Sequence, residues 1–274
     1  MPMRHLKLAT VGGVLLTAVL LSGCNWVRAL KARDQLNKGV GAFRNAQFQT
    51  AIDHFQTAVA MDPTLLNARL YLATAYAQQY IPGGDSPENI KIGQQAIDAF
   101  EDVLKMDPNN TTAIASIALI YFNMKKFEKA KEYQRRRMEI EPGNAEPYYW
   151  IGVIDWTVCF PRRMQLRKDL KLAESRDPNK PEILPVLPAK AQAELVKENS
   201  ELVDEAIKAL QKALEIKPND SDAMAYLNLM YREKVDIESD ADARAADLKQ
   251  AEEWVDKAVA LKKQAAGRGS TSTK

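Results

Sequence analysis

The chain has 274 residues, 38 of them basic and 36 acidic, for a formal charge of +2. That near balance lacks the electrostatic footprint of a nucleic-acid binder, so no nucleic-acid partner is expected. No glycine-rich phosphate loop and no cluster of metal-ligating residues stands anywhere in the sequence, so no cofactor and no metal are expected either.

In chain order the first element is a targeting segment. Arg4 and Lys7 precede an apolar run from Leu8 to Leu21 that ends in small residues. The run is too short and too broken by glycine to make a good membrane span. Its end, Leu21-Ser22-Gly23-Cys24, resembles the lipobox of bacterial lipoproteins. The resemblance implies a signal peptide over residues 1–23, a diacylglycerol on the Cys24 thiol and an acylated N-terminus with a short tether over 24–31. Each buried methylene contributes about 0.8 kcal/mol, so several acyl chains hold a protein on a membrane without a spanning helix. Asn25 stands where an aspartate favours inner-membrane retention in well-studied Gram-negative envelopes, which implies the outer membrane, facing the periplasm.

Loss of residues 1–23 removes Arg4 and Lys7 and no acid, which brings the 38 basic residues level with the 36 acidic ones. His5 leaves as well, so only His54 remains and no site needing two histidines is possible. With Cys24 acylated, Cys159 is the remaining thiol and has no partner for a disulfide. Trp26, Val27, Arg28, Leu30 and Lys31 already have helical character, which places the first structured helix close to the bilayer.

A repeated unit follows, clearest from Thr111 to Pro142. Ile114, Ile117, Ala118 and Tyr121 recur at helical spacing, Asn123 to Lys126 form a polar turn, and Phe127, Ala130, Tyr133 and Ile140 mark a second amphipathic helix closed by Pro142. The second-helix signature recurs as Ala51, Phe55, Ala58, Pro63, as Ala96, Phe100, Val103, Pro108, and as Ala206, Leu210, Ala213, Pro218. It returns without a closing proline as Ala251, Val255, Ala258. Met61-Asp62-Pro63, Met106-Asp107-Pro108, Ile140-Glu141-Pro142 and Ile216-Lys217-Pro218 carry one instruction, an apolar residue in the last turn and then a residue that cannot continue the helix. Small residues in the first helices, Gly39, Ala73, Ala118 and Gly152, let paired helices approach closely, while Asn228 takes that place in the fifth unit.

These residues resemble the tetratricopeptide repeat, whose unit is about 34 residues long. The resemblance covers residues 32–263 and implies an all-α, right-handed superhelix of about five helix pairs. It also implies a binding protein and not an enzyme, with other envelope proteins or peptides as partners. Carboxylates such as Glu146 and Asp155 are available for acid and base roles, but nothing in the sequence fixes their separation.

Three segments interrupt or end the array. Tyr80 to Lys91 and the acidic stretch Asp236 to Asp247 read as longer loops or extra helical turns. The third is an insertion over 158–200, proline-rich and locally basic through Arg162, Arg163, Arg167, Lys168, Lys171 and Arg176. It reads either as a solvated excursion or as a docking element for an acidic partner or anionic headgroups. Trp156 is expected to end its helix, with short helices over Arg163 to Arg176 and Ala189 to Val196. Residues 264–274 read as a disordered tail.

In tetratricopeptide arrays the first helices line the concave face. Carried across, the family's inward positions give a binding groove that includes Phe43, Arg44, Leu70, Gln78, Phe122, Asn123, Tyr149 and Trp156. Aromatic anchors of this kind are enriched at protein interfaces, and equally they pack against an array's own inserted segment. The alternative function is an envelope carbohydrate-binding protein or enzyme that stacks sugars on the same aromatics.

Overall fold

The computed structural model describes residues 26–172 and 185–271. The segment 1–23 expected to be a signal peptide, Cys24 and residues 173–184 of the insertion lie outside the described residues. Among the described residues the chain is all-α, with ten helices and no strand. None of these helices is long and apolar enough to cross a membrane. The chain divides into two compact units, Met1–Lys126 and Phe127–Lys274. The division falls at the polar turn read between the two helices of the third pair.

In the first unit, α1 spans residues 26–44, so the expected tether is helical from residue 26 onward. It is followed by α2 (Phe48–Met61), α3 (Leu66–Gln79), α4 (Pro87–Met106) and α5 (Thr111–Asn123). The expected second-helix residues Ala51, Phe55 and Ala58 of α2, and Ala96, Phe100 and Val103 of α4, are all buried. A Cβ at Gly39 would overlap the Phe55 ring, which explains the small residue there. Asp62 ends α2, and its carboxylate accepts from the Thr64 hydroxyl at 2.6 Å and the Thr64 amide at 3.0 Å. Those bonds, the hydroxyl first, hold its pKa below the usual value. The Tyr80 to Lys91 segment is a loop followed by an extra first turn of α4. Pro87 opens α4 and Ser86 caps it, while buried Asn89 bonds the amide and carbonyl of Ile81 and the carbonyl of Gly84.

In the second unit, α6 spans Phe127–Ile140, α7 Ala145–Asp169, α8 Ala189–Ile216, α9 Ser221–Ile237 and α10 Ala241–Thr271. A core forms from Cys159, Val203, Ala206, Leu210, Leu227, Met230 and Ala258 with half-buried Tyr149, Trp156 and Tyr226 against it. A Cβ at Gly152 would overlap Leu210, as the spacing of the small residues implied. Asn228, the exception, is buried and donates from Nδ2 to the Ala251 carbonyl at 2.6 Å. It replaces close approach with a hydrogen bond, and Asn228→Ala is expected to cost about 1 kcal/mol in chemical unfolding.

Within the 158–200 insertion the structure corrects where the helices end and begin. Trp156 does not end its helix, because α7 runs on through Pro161 to Asp169, and α8 begins at Ala189 and continues without a break to Ile216. Both helices of the fourth pair thus extend into this segment. The reason is a buried stripe at four-residue spacing, Asp155, Cys159, Arg163 and Arg167 on α7, matched by Ala191, Leu195, Asn199 and Val203 on α8. One missing N–H at Pro161 does not outweigh that burial.

Two arginines of the basic stretch turn inward, while Arg162, Lys168 and Lys171 are exposed and Arg176 lies outside the described residues. Arg163 Nε and Arg167 Nε donate to Asp236 Oδ2 at 2.6 and 2.7 Å, and Arg167 Nη2 bonds both the other Asp236 oxygen and the Pro185 carbonyl. Glu233 lies 3.6 Å from Arg163. For Arg163 and Arg167 the acidic partner is thus α9 of the same chain.

Two further departures belong to α6 and α10. On α6 the buried face is Ala130, Lys131, Gln134 and Arg137, and the expected Phe127, Tyr133 and Ile140 are only half-buried. The charges on that face are paired, Lys131 with Asp155 at 2.7 Å and with Glu205 at 2.6 Å, Arg137 with Glu146 at 2.8 Å. On α10 the helix extends to Thr271, into the 264–274 segment expected to be disordered. Lys262, Lys263, Gln264, Ala265 and Ala266 are strong helix formers with no proline after them.

Candidate functional site

The second unit contains an open cleft of about 670 Å³ between the start of α7 and the junction of α8 with α9. Two similar turns build its rims. Pro142-Gly143-Asn144 leads into α7 and Pro218-Asn219-Asp220 into α9, and in each the last residue caps the helix. Asn144 Oδ1 accepts from the Glu146 amide at 3.0 Å, and Asp220 Oδ1 accepts from the Asp222 and Ala223 amides at 3.1 Å.

Between the rims stand Tyr149 and Trp150, one turn into α7, with ring centroids 6.0 Å apart and an edge-on geometry. Tyr149 also meets Tyr226 edge-on at 5.6 Å. Burial, reinforced by Tyr226, Asp222 and Asp220, pushes the Tyr149 phenol up to about 12, so it stays a neutral donor and acceptor. The charged groups of the cleft are Glu146, Asp220, Asp222 and Lys217. Burial would raise the Asp220 pKa, but hydrogen bonds from Lys217 and the Ala223 amide outweigh it and hold the carboxyl below its usual value. Asp222 pairs with Lys262 at 3.0 Å. The cleft therefore offers an aromatic wall, a neutral phenol and a rim richer in carboxylates than in cations. This equipment suits recognition of a polypeptide segment.

The thiol and the histidine are elsewhere. Cys159 is buried in the core and burial pushes its thiol up to about 12, so it is no nucleophile. His54, in the first unit, makes a 2.7 Å hydrogen bond with Gln35.

Of the groove residues expected from the sequence, Tyr149 lines this cleft, and Glu146, its neighbour on the same helix face, does too. Trp156 lies further along α7, stacked on Phe160 at 4.9 Å and edge-on to Tyr226 at 5.5 Å, with its indole N–H buried without a hydrogen-bond partner. It faces the core of the unit more than the cleft. In the first unit, half-buried Phe43 meets Phe48 edge-on at 5.4 Å and Arg44 is exposed at the end of α1. Leu70 is half-buried and Gln78 exposed on α3, and Phe122 and Asn123 are half-buried at the end of α5. Trp150, Lys217, Asp220 and Asp222 were missed by sequence reasoning. The usable signal was the pair of matching turns after Pro142 and Pro218.

Comparison with known proteins agrees with this architecture. The tetratricopeptide repeat family matches residues 112–144 and 195–220. The interferon-induced protein with tetratricopeptide repeats 2 of Cricetulus griseus is 25% identical over 183 residues, 67% of this chain and 31% of that protein. The chain thus spans less than a third of that relative's length. Among solved structures, the MamA protein superposes with a TM-score of 0.55 at 16% identity, covering 86% of this chain and 94% of that one. YrrB, described as a TPR protein with an unusual peptide-binding site, superposes at 0.52 and 14% identity, covering 83% of this chain and 84% of that one. At these identities the structural likeness concerns the fold. The chain carries tetratricopeptide repeats on an all-α fold shared with tetratricopeptide-repeat proteins.

Proposed function

We propose that this protein is a non-catalytic adaptor of the bacterial cell envelope, held by lipid on Cys24, probing the periplasm from the outer membrane and binding a segment of another envelope protein. The observation that carries the binding part is the cleft at Tyr149 and Trp150, walled by aromatics and rimmed by capped helix starts. The peptide-binding description of YrrB supports the same reading by analogy of fold. The anchor rests on the lipobox-like Leu21-Ser22-Gly23-Cys24.

A photo-crosslinking amino acid at position 150 tests the binding part in living cells. Crosslinks to an envelope protein, lost in Tyr149→Ala, are the expected result. Retention of glycan alone would transfer the site to the sugar-binding reading, and exclusive crosslinks to cytosolic proteins would refute the envelope role. Asp222→Lys, exposed and outside the core, is expected to weaken capture about tenfold or more while stability falls by only about 1 kcal/mol, from loss of the exposed pair with Lys262 and of the acid at the start of α9. Intact-mass spectrometry of the membrane-extracted protein tests the anchor, because an unmodified Cys24 excludes it.

A further inference from the structure

The outward face of α1 changes character along its length. In its first turn it carries Trp26, Val27 and Leu30, exposed by 66%, 45% and 44%. One turn later the same face carries Arg33, Asp34, Asn37 and Lys38, all exposed, with Lys38 bonded to Asp34 at 2.7 Å. At 100° per residue, Trp26, Leu30 and Val27 fall within one sector opposite buried Ala32 and Gly39, which face the unit's interior. The apolar sector is therefore one turn deep and lies at the start of the helix. Lys31 borders it on the Val27 side and Arg28 lies further round the same turn, both exposed at the start of the helix.

We propose that this first turn docks on the surface of an anionic bilayer, with Trp26, Val27 and Leu30 entering the interface and Arg28 and Lys31 meeting lipid phosphates. The proposal rests on the lipid-anchor reading of Cys24. One residue, Asn25, separates that cysteine from Trp26, so acyl chains on Cys24 bring the apolar turn to the membrane without a linker to span. A tryptophan at the headgroup level, aliphatic residues beside it and cations at the edge form the composition that interfacial helices use. The abrupt change to Arg33, Asp34 and Asn37 limits entry to that turn, so the helix meets the membrane by its end. Docking of this kind fixes the orientation of the first unit to the membrane, which an acyl chain alone does not.

The test uses the full-length protein extracted from membranes and reconstituted in phosphatidylethanolamine vesicles with or without phosphatidylglycerol, some bearing bromine on the acyl chains to quench tryptophans at the bilayer. The chain has 4 tryptophans, and Trp26→Phe removes the one of interest. Bromolipid is expected to quench a part of the emission that Trp26→Phe lacks. Val27→Ser with Leu30→Ser should lower that part by about half or more. Arg28→Glu with Lys31→Glu should abolish its increase with phosphatidylglycerol, since each cation near an anionic surface contributes about fivefold in affinity. Equal quenching in wild type and Trp26→Phe, with lipid on Cys24 verified by mass, overturns the docking and leaves the anchor intact. An unmodified Cys24 overturns the anchor reading and the docking with it. A dimer that disappears in Trp26→Phe would identify a second copy as the occupant of this face and would also overturn the proposal.

Discussion

Asp236→Ala is expected to destabilise the Phe127–Lys274 unit by about 3–5 kcal/mol, the range found when one partner is taken from a buried ion cluster. Asp236 is fully buried, and its two oxygens accept from Arg163 and Arg167, whose exposures are 3% and 1%. Removing the carboxylate leaves both guanidinium groups out of water with their main counter-charge gone. Urea unfolding followed by circular dichroism measures the loss. Combining Asp236→Ala with Arg167→Met should cost clearly less than the two single changes added together, because the second change removes one of the orphaned charges. Additive losses would show that the cluster contributes only ordinary packing.

The second large effect is a pH dependence centred on Asp155. Burial pushes its carboxyl up from 3.8 to about 7, against the opposing pull of Lys131, and one of its oxygens is buried without a hydrogen-bond partner. Between about pH 4 and about pH 7 the unfolded chain has released this proton while the folded chain keeps it. Stability therefore falls as pH rises through that window, by up to about 4 kcal/mol, and levels off above it. Glu205, next to it, is also burdened by burial, but hydrogen bonds from Lys131 and Arg135 hold its pKa below 4.5, so its stabilisation is lost only at more acid pH. Lys131 is raised above 10.5, since its bonds to Asp155 and Glu205 outweigh burial, and its effect appears only in strong alkali. Urea midpoints at about pH 5 and about pH 8 measure the slope. Asp155→Asn should flatten it, and a slope that survives the substitution belongs to another group.

The repeat was legible because its instructions are local. Met61-Asp62-Pro63, Met106-Asp107-Pro108 and Ile216-Lys217-Pro218 each end a helix within a residue of where the sequence places the stop. Gly39 and Gly152 pointed to close helix contacts through their place in the repeat that the sequence resembles. The helix limits within the 158–200 segment were misread because the residues that keep α7 and α8 helical there are polar. Arg163, Arg167 and Asn199 break the apolar pattern by which a buried stripe is recognised; the carboxylate that makes burial of the two arginines tolerable lies on α9, and Asn199 donates to the Cys159 carbonyl on α7. A local window sees a cation without its partner. The same holds for Lys131 and Arg137 on α6. The candidate cleft was half legible. Tyr149 followed from the family's inward positions, whereas Asp220 and Asp222 enter only when α9 folds back beside α7.

The long α7 and α8 and the inward arginines have a kinetic consequence. In a stack of helix pairs held by nearest-neighbour packing, each pair can open separately, and backbone amides then exchange with solvent pair by pair. Here Asp236 of α9 holds Arg163 and Arg167 of α7, while Gln192 of α8 donates to the Glu238 carbonyl just beyond α9 at 2.6 Å. Opening the last pair strands charges in the one before it. Deuterium uptake along α7, α8 and α9 should therefore proceed as one cooperative event, and Asp236→Ala should split it into two.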